Sequence, residues 1–335
     1  MGFKLTVEDY NKFLSAVSKD YKVYAPKVLK GKGTFSDTDV VRYAEINEVS
    51  EIEFEVKSAF SYKEVLLPIT QTLFYFTEDQ WIEAKSEEKG AIIFLRSCDI
   101  HSLIRLDDIY LRNGFEDPYY KVLREKAKFI LIGCEKSFDS CFCVSMGTNK
   151  TEAYDAYIKV DDEIVYFDVK DEILEKYLED LSREEAEVTP DFVLENETKV
   201  NIPENLDLEV MNSTMWKEYS ARCIACGRCN FVCPTCTCFT MQDIFYKDNE
   251  KTGERRRVWA SCHVDGFTNM AGGHSFRLEK GQRMRFKVLH KVYDYKKRWG
   301  YHMCVGCGRC DDICPEYISF SNCVNKLEKG MEEVK

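Results

Sequence analysis

Apolar residues recur at helical spacing from Thr6 to Ser18, where Val7, Tyr10, Phe13, Leu14 and Val17 fall on one face and predict an amphipathic helix. Tyr21–Leu29 then reads as extended chain entering the Gly31–Gly33 turn. Pro26 within it has no N–H for a ladder, so an edge strand is the most this run predicts. Two short runs, Ala91–Leu95 and Phe129–Ile132, are wholly apolar, as strands buried on both faces require. Between them Ile100–Leu111 has helical spacing, and this alternation predicts βαβ units in a partly parallel sheet. Tyr154–Val169 alternates around Asp161, Asp162 and Glu163 and predicts a hairpin, and Asp171–Ala186 predicts a charged surface helix.

An acidic stretch over residues 185–210, with Pro190 and Pro203, has the composition of a linker. It divides a mixed α/β domain over 1–200 from a second domain over 205–335 that reads as mainly helical. A chain of 335 residues, 44% hydrophobic, is long enough for both. No run approaches eighteen uncharged apolar residues, which predicts no membrane span. The formal charge of −11 argues against nucleic acid, which wants a basic face. The first residues carry no apolar signal core, and sixteen cysteines without secretion predict metal binding in a reducing, oxygen-poor cytoplasm.

Eight of those cysteines form one string written twice: Cys223, Cys226, Cys229 and Cys233-Pro234, then Cys304, Cys307, Cys310 and Cys314-Pro315. The spacing C-x2-C-x2-C-x3-C-P is that of bacterial two-cluster ferredoxins, in which the fourth cysteine ligates the other [4Fe–4S] cluster. The first cluster is thus assigned Cys223, Cys226, Cys229 and Cys314, and the second Cys304, Cys307, Cys310 and Cys233. Structural zinc is the rival reading, but zinc sites need neither a third cysteine at the next step nor the proline. The fold class expected is an α/β N-terminal domain with a mixed, partly parallel sheet, then a mainly α-helical, ferredoxin-like domain with two clusters.

Cys98 and Cys134 each follow a predicted buried strand, where the carboxyl ends of parallel strands line a common crevice. Cys141 and Cys143 lie a few residues further on. The four are candidates for a third [4Fe–4S] cluster, and buried packing thiols are the other reading. Cys236, Cys238 and Cys262 read as packing or as hydrogen-bonding neighbours of cluster sulfurs, and Cys323 as structural. His263, His274, His290 and His302 stand singly and read as hydrogen-bonded helix residues. The basic runs Arg255–Arg257, Arg283–Lys287 and Lys296–Arg298 read as solvated faces, with a docking surface or a cluster-tuning charge as the sharper alternatives. Arg222, Arg228 and Arg309 flank the strings. With no complete G-x-G-x-x-G or P-loop, and no nucleophile-and-base set, no dinucleotide site and no catalytic residue are assigned.

Taken in order, the Arg96–His101 segment, Cys134, Cys141-Phe-Cys143, Cys233-Pro-Thr-Cys236-Thr-Cys238, Trp259–Cys262, Ala271–Arg277 and the second string resemble the [4Fe–4S] electron-transfer subunit of anaerobic sulfite reductases. More distantly they resemble the β subunits of cytoplasmic sulfhydrogenases. The resemblance covers most of residues 90–316. It implies a complex in which a flavin subunit oxidises NAD(P)H, this chain relays single electrons, and a sirohaem subunit reduces sulfite to sulfide. The alternatives are the corresponding β-type subunit of a sulfhydrogenase, or a zinc-stabilised scaffold with no redox role.

Overall fold

The two wholly apolar runs are adjacent parallel strands, Gly90–Leu95 and Ala127–Ile132, inside an eight-stranded mixed sheet. Their side chains alternate between two cores. Ile92, Phe94, Ile130 and Ile132 face one, and Ile93, Leu95, Phe129 and Leu131 the other. The first core is closed by Tyr10, Phe13, Leu14 and Val17 of the helix Val7–Val17. The second is closed by Ile100, Leu103, Leu106 and Tyr110 of the helix Ser97–Tyr110. A sheet buried on both faces needs apolar residues at every position, which is why these runs show no alternation in sequence.

The computed structural model describes residues 2–85, 87–246 and 251–335. Its strands are β1 (Gly2–Thr6), β2 (Tyr21–Leu29), β3 (Val40–Glu45), β4 (Thr70–Phe76), β5 (Trp81–Glu83), β6 (Gly90–Leu95), β7 (Ala127–Ile132), β8 (Ala156–Asp161), β9 (Ile164–Val169), β10 (Glu184–Glu185), β11 (Phe239–Phe245) and β12 (Gly253–Trp259). The large sheet has the order β10-β1-β9-β8-β7-β6-β2-β3, parallel from β2 through β6 and β7 to β8 and antiparallel elsewhere. A second sheet, β11-β12-β4-β5, is antiparallel throughout. Among the described residues no helix is long and apolar enough to cross a membrane.

The chain divides into two units. The first comprises residues up to Leu67, Lys85–Phe138 and Thr148–Leu194; the second comprises Pro68–Ala84, Asp139–Gly147 and everything from Glu195 onward. Two stretches of the N-terminal half, carrying β4, β5, Cys141 and Cys143, thus belong with the C-terminal residues. The core of the second unit gathers Trp216 and Tyr219, Met284 and Val288, and Phe320, Val324 and Leu327, with Cys223, Cys304, Cys310 and Cys314 packed against it.

Two expectations are corrected. Strand β2 is interior, between β6 and β3. Proline is tolerated because β6 pairs only with Tyr21–Tyr24, so Pro26 lies past the end of that ladder. The predicted helix Asp171–Ala186 is a short one, Glu172–Lys176, started by Asp171, whose carboxylate accepts from the Ile173 and Leu174 N–H groups. The chain then turns and ends in β10 against β1. After Met211 the described elements are helices together with the antiparallel pair β11–β12.

Candidate metal centres

Each cysteine string follows the same backbone course. Gly227 and Gly308, equivalent positions in the two strings, have φ of +73° and +69° and cap the short helices Arg228–Phe231 and Arg309–Asp312. Only glycine takes this left-handed turn without steric cost, and the turn brings the third cysteine back toward the first two. Ala225 also has positive φ, +59°, and its N–H reaches Cys223 Sγ at 3.4 Å. The Ile318 N–H reaches Cys314 Sγ at 3.3 Å. Such N–H···S bonds favour the thiolate and raise the reduction potential of any iron held there.

Two cavities adjoin the strings. One is lined by Cys223, Cys226, Cys229 and Cys314, with Cys310, His263, Met284 and Lys287. The other is lined by Cys304, Cys307, Cys310 and Cys233, with Thr235, Lys287 and Lys291. Each cavity is thus lined by the first three cysteines of one string and the last cysteine of the other, with Cys310 shared between the two cavities. The donor set suits [4Fe–4S] groups. Burial pushes the Cys304 thiol up to about 12 and those of Cys223 and Cys310 upward, so these sulfurs lose their protons to a metal rather than to water. Cys233 goes the other way, because the Cys236 thiol hydrogen-bonds to it and Lys291 and Lys287 stand nearby.

The surroundings are cationic and donor-rich. Lys287 and Lys291, 4% and 3% exposed, project from one continuous helical stretch over residues 280–294. Burial alone would lower their pKa values; the facing cysteines more than reverse this and hold both ammoniums charged. The solvated-face reading of Arg283–Lys287 is thus corrected, since Arg283 and Lys287 are buried. Lys296–Arg298 is exposed as expected. In Arg255–Arg257, Arg255 is exposed and pairs with Asp243, and Arg257 is buried. Arg222 pairs with Glu218 and caps the carbonyls of Glu316 and Tyr317; Arg228 is exposed and Arg309 buried.

His263 also departs from expectation. It sits in a turn, 1% exposed, and its Nε2 has no hydrogen-bond partner among the described residues. Burial, then Lys287 and Arg283, lower its pKa to about 3, so the ring is neutral. A neutral imidazole with an orphaned nitrogen beside a cysteine-lined cavity fits an acceptor such as cluster sulfur.

The remaining thiols have definite surroundings. Cys238 and Cys262 hydrogen-bond to each other, and the Asn230 amide donates to Cys262 Sγ at 3.1 Å. Cys323 is fully buried in the core of the second unit. The candidate third quartet falls in both units. Cys98 and Cys134 lie in the first, just past the carboxyl ends of β6 and β7, and Arg96 donates to Cys134 Sγ at 3.2 Å. Cys141 and Cys143 lie in the second; Cys141 Sγ meets the Cys307 carbonyl at 3.5 Å and Cys143 Sγ meets Asn196. There Phe142 N–H also donates to the Gly306 carbonyl at 2.8 Å, so this short segment braces the second string.

Residues 222–318, which span both strings, match the 4Fe-4S dicluster domain family. Over 345 aligned residues the chain is 28% identical to sulfhydrogenase 2 subunit beta of Pyrococcus furiosus, and the alignment covers 98% of each chain. No solved structure matches it. The dicluster match and the paired cysteine cages identify the chain as an iron–sulfur protein that binds [4Fe–4S] clusters and transfers electrons.

Proposed function

We propose that this chain is the electron-relay subunit of a multi-subunit oxidoreductase, carrying single electrons from a flavin subunit that oxidises NAD(P)H to a catalytic partner that reduces a sulfur compound or protons. The observation that carries this reading is the crossed lining of the two cavities, each with three cysteines of one string and the fourth of the other. Each bound [4Fe–4S] cluster supplies one-electron chemistry. The chain's own residues supply the rest: eight thiolates fix two cages side by side, backbone N–H groups steady the sulfurs, and Lys287 and Lys291 counter the negative charge. Neither a nucleophile nor a dinucleotide fingerprint is needed for such a role.

Two catalytic partners fit. The order of motifs from Arg96 to Cys314 favours a sirohaem subunit that reduces sulfite; the full-length similarity to a sulfhydrogenase β subunit equally favours a sulfhydrogenase. The complex purified without oxygen through a tag on this chain decides between them. A sirohaem absorption band marks the first, and nickel together with hydrogen uptake marks the second. The isolated chain should be brown, bleach with dithionite and contain about eight iron and eight sulfide per chain. About twelve of each would add the Cys98, Cys134, Cys141 and Cys143 quartet as a third cluster. A colourless protein loaded with zinc would overturn the relay.

A further inference from the structure

An ammonium group in a protein interior is costly, several kcal/mol even after relaxation, unless opposite charge lies against it. Lys287 and Lys291 are both in that position, and among the described residues no carboxylate pairs with either. The Lys287 Nζ donates to the Cys229 carbonyl at 3.4 Å and lies 5.4 Å from the centre of the Phe320 ring. The Lys291 Nζ donates to Thr235 Oγ1 at 2.7 Å, and that hydroxyl in turn lies 3.4 Å from Cys233 Sγ. The anionic groups that face the two ammoniums are the cysteines of the cavities.

The two lysines are placed unequally. Lys287 lines both cavities, whereas Lys291 lines only the one with Cys304, Cys307 and Cys310. That second cavity is also the more enclosed at its ligands, for Cys307 is buried while Cys226 of the first is exposed. Enclosure alone would make the second cluster harder to reduce, because reduction adds negative charge in a poorly solvated place. A fixed cation acts in the opposite sense, and in a buried site water and salt screen it little.

We propose that Lys287 and Lys291 are positioning residues that set the relative reduction potentials of the two clusters, Lys287 raising both and Lys291 raising the second alone. The effect of the extra charge is to offset the burial of the second cluster, so that one electron passes between the two without a large uphill step. This proposal rests on the reading that the two cysteine quartets hold [4Fe–4S] clusters.

The test is a redox titration of the full chain, purified without oxygen, followed by electron paramagnetic resonance, with iron and sulfide counted on the same samples. Lys291→Met should move one of the two midpoint potentials downward and leave the other in place. Lys287→Met should move both downward. Lys287→Arg and Lys291→Arg keep the charge and should stay near the wild-type values, and Thr235→Val should give a smaller shift in the cluster affected by Lys291→Met. Full iron content with unmoved or raised potentials in the methionine variants would overturn the proposal, as would equal shifts in the arginine variants. Iron lost from the methionine variants but kept at native potentials by the arginine variants supports it; iron lost from both shows a packing role and defeats it. A wild-type chain without two clusters would instead defeat the ligand reading, and it is measured first.

Discussion

At Gly308 the second string has no room for a side chain: a Cβ there would run into the hydroxyl and carbonyl of Ser140, and φ of +69° would strain it besides. Gly308→Ala should therefore cost about 3 kcal/mol and lower the iron content of the chain, read by chemical denaturation and metal analysis. Gly227→Ala, which meets mainly the side chains of Val264 and Ser261, should cost less. His263→Phe keeps the ring volume and removes the orphaned nitrogen. If Nε2 donates to sulfur in the first cavity, one midpoint potential drops while iron content holds; an unmoved titration curve excludes that bond. The eight string cysteines were legible because ligand spacing is local. The burial of Lys287 and Lys291 was not, since their counter-charges come from cysteines of both strings, thirteen to fifty-eight positions away, that only the fold brings together. A signal did exist. Met284, Val288, Val292 and Tyr295 form a buried helical stripe, and the two lysines share it where spacing calls for apolar residues.

Among the elements, those with a buried face on both sides or along one stripe announced themselves. The strands β6 and β7, the hairpin β8–β9 and the helix Val7–Val17 lie within a residue or two of where periodicity places them. The sheet β11-β12-β4-β5 did not announce itself. Every residue of β11 is exposed, so no buried face marks it in the sequence, and β4, the second partner of β12, comes from a part of the chain far upstream. Its aromatic contact of Phe76 with Phe245 forms only once those distant stretches meet, whereas Phe74 with Trp81 lies within the local β4–β5 pair. In the first unit the helices Ser97–Tyr110 and Pro118–Glu125 are tied by one carboxylate. Asp107 accepts from the Tyr120 hydroxyl at 2.7 Å and from Arg124 at 3.0 to 3.2 Å. Arg124→Met would strip that buried carboxylate of both its guanidinium donors and its counter-charge, at a cost of about 3 kcal/mol, visible as a lower denaturation midpoint with unchanged iron.

For the whole molecule, the division into two units separates what iron supports from what it does not. The first unit rests on two cores without any string cysteine, and the second has four of the eight string cysteines packed into its core. Chelation of iron under anaerobic conditions should thus abolish hydrogen-exchange protection around Trp216, Val288 and Phe320 while β6 and β7 stay protected. Simultaneous loss in both units would contradict this. The acidic linker suggests a division near 200, but nothing local marks 68–84 or 139–147 as belonging with the C-terminal unit, because membership there is decided by pairing with β12 and by the Phe142–Gly306 bond. The crossed lining of the cavities has one more consequence. If each cage takes its fourth thiolate from the opposite string, as proposed, the pair works as a double buckle: neither half fastens alone, and reconstitution of the iron-free chain should fill both cages or none. The stretch between the strings is a strap anchored at each end, and lengthening such a strap twofold adds only about 0.6 kcal/mol of closure entropy. That is room enough for a whole hairpin to be threaded between two halves of one fastening.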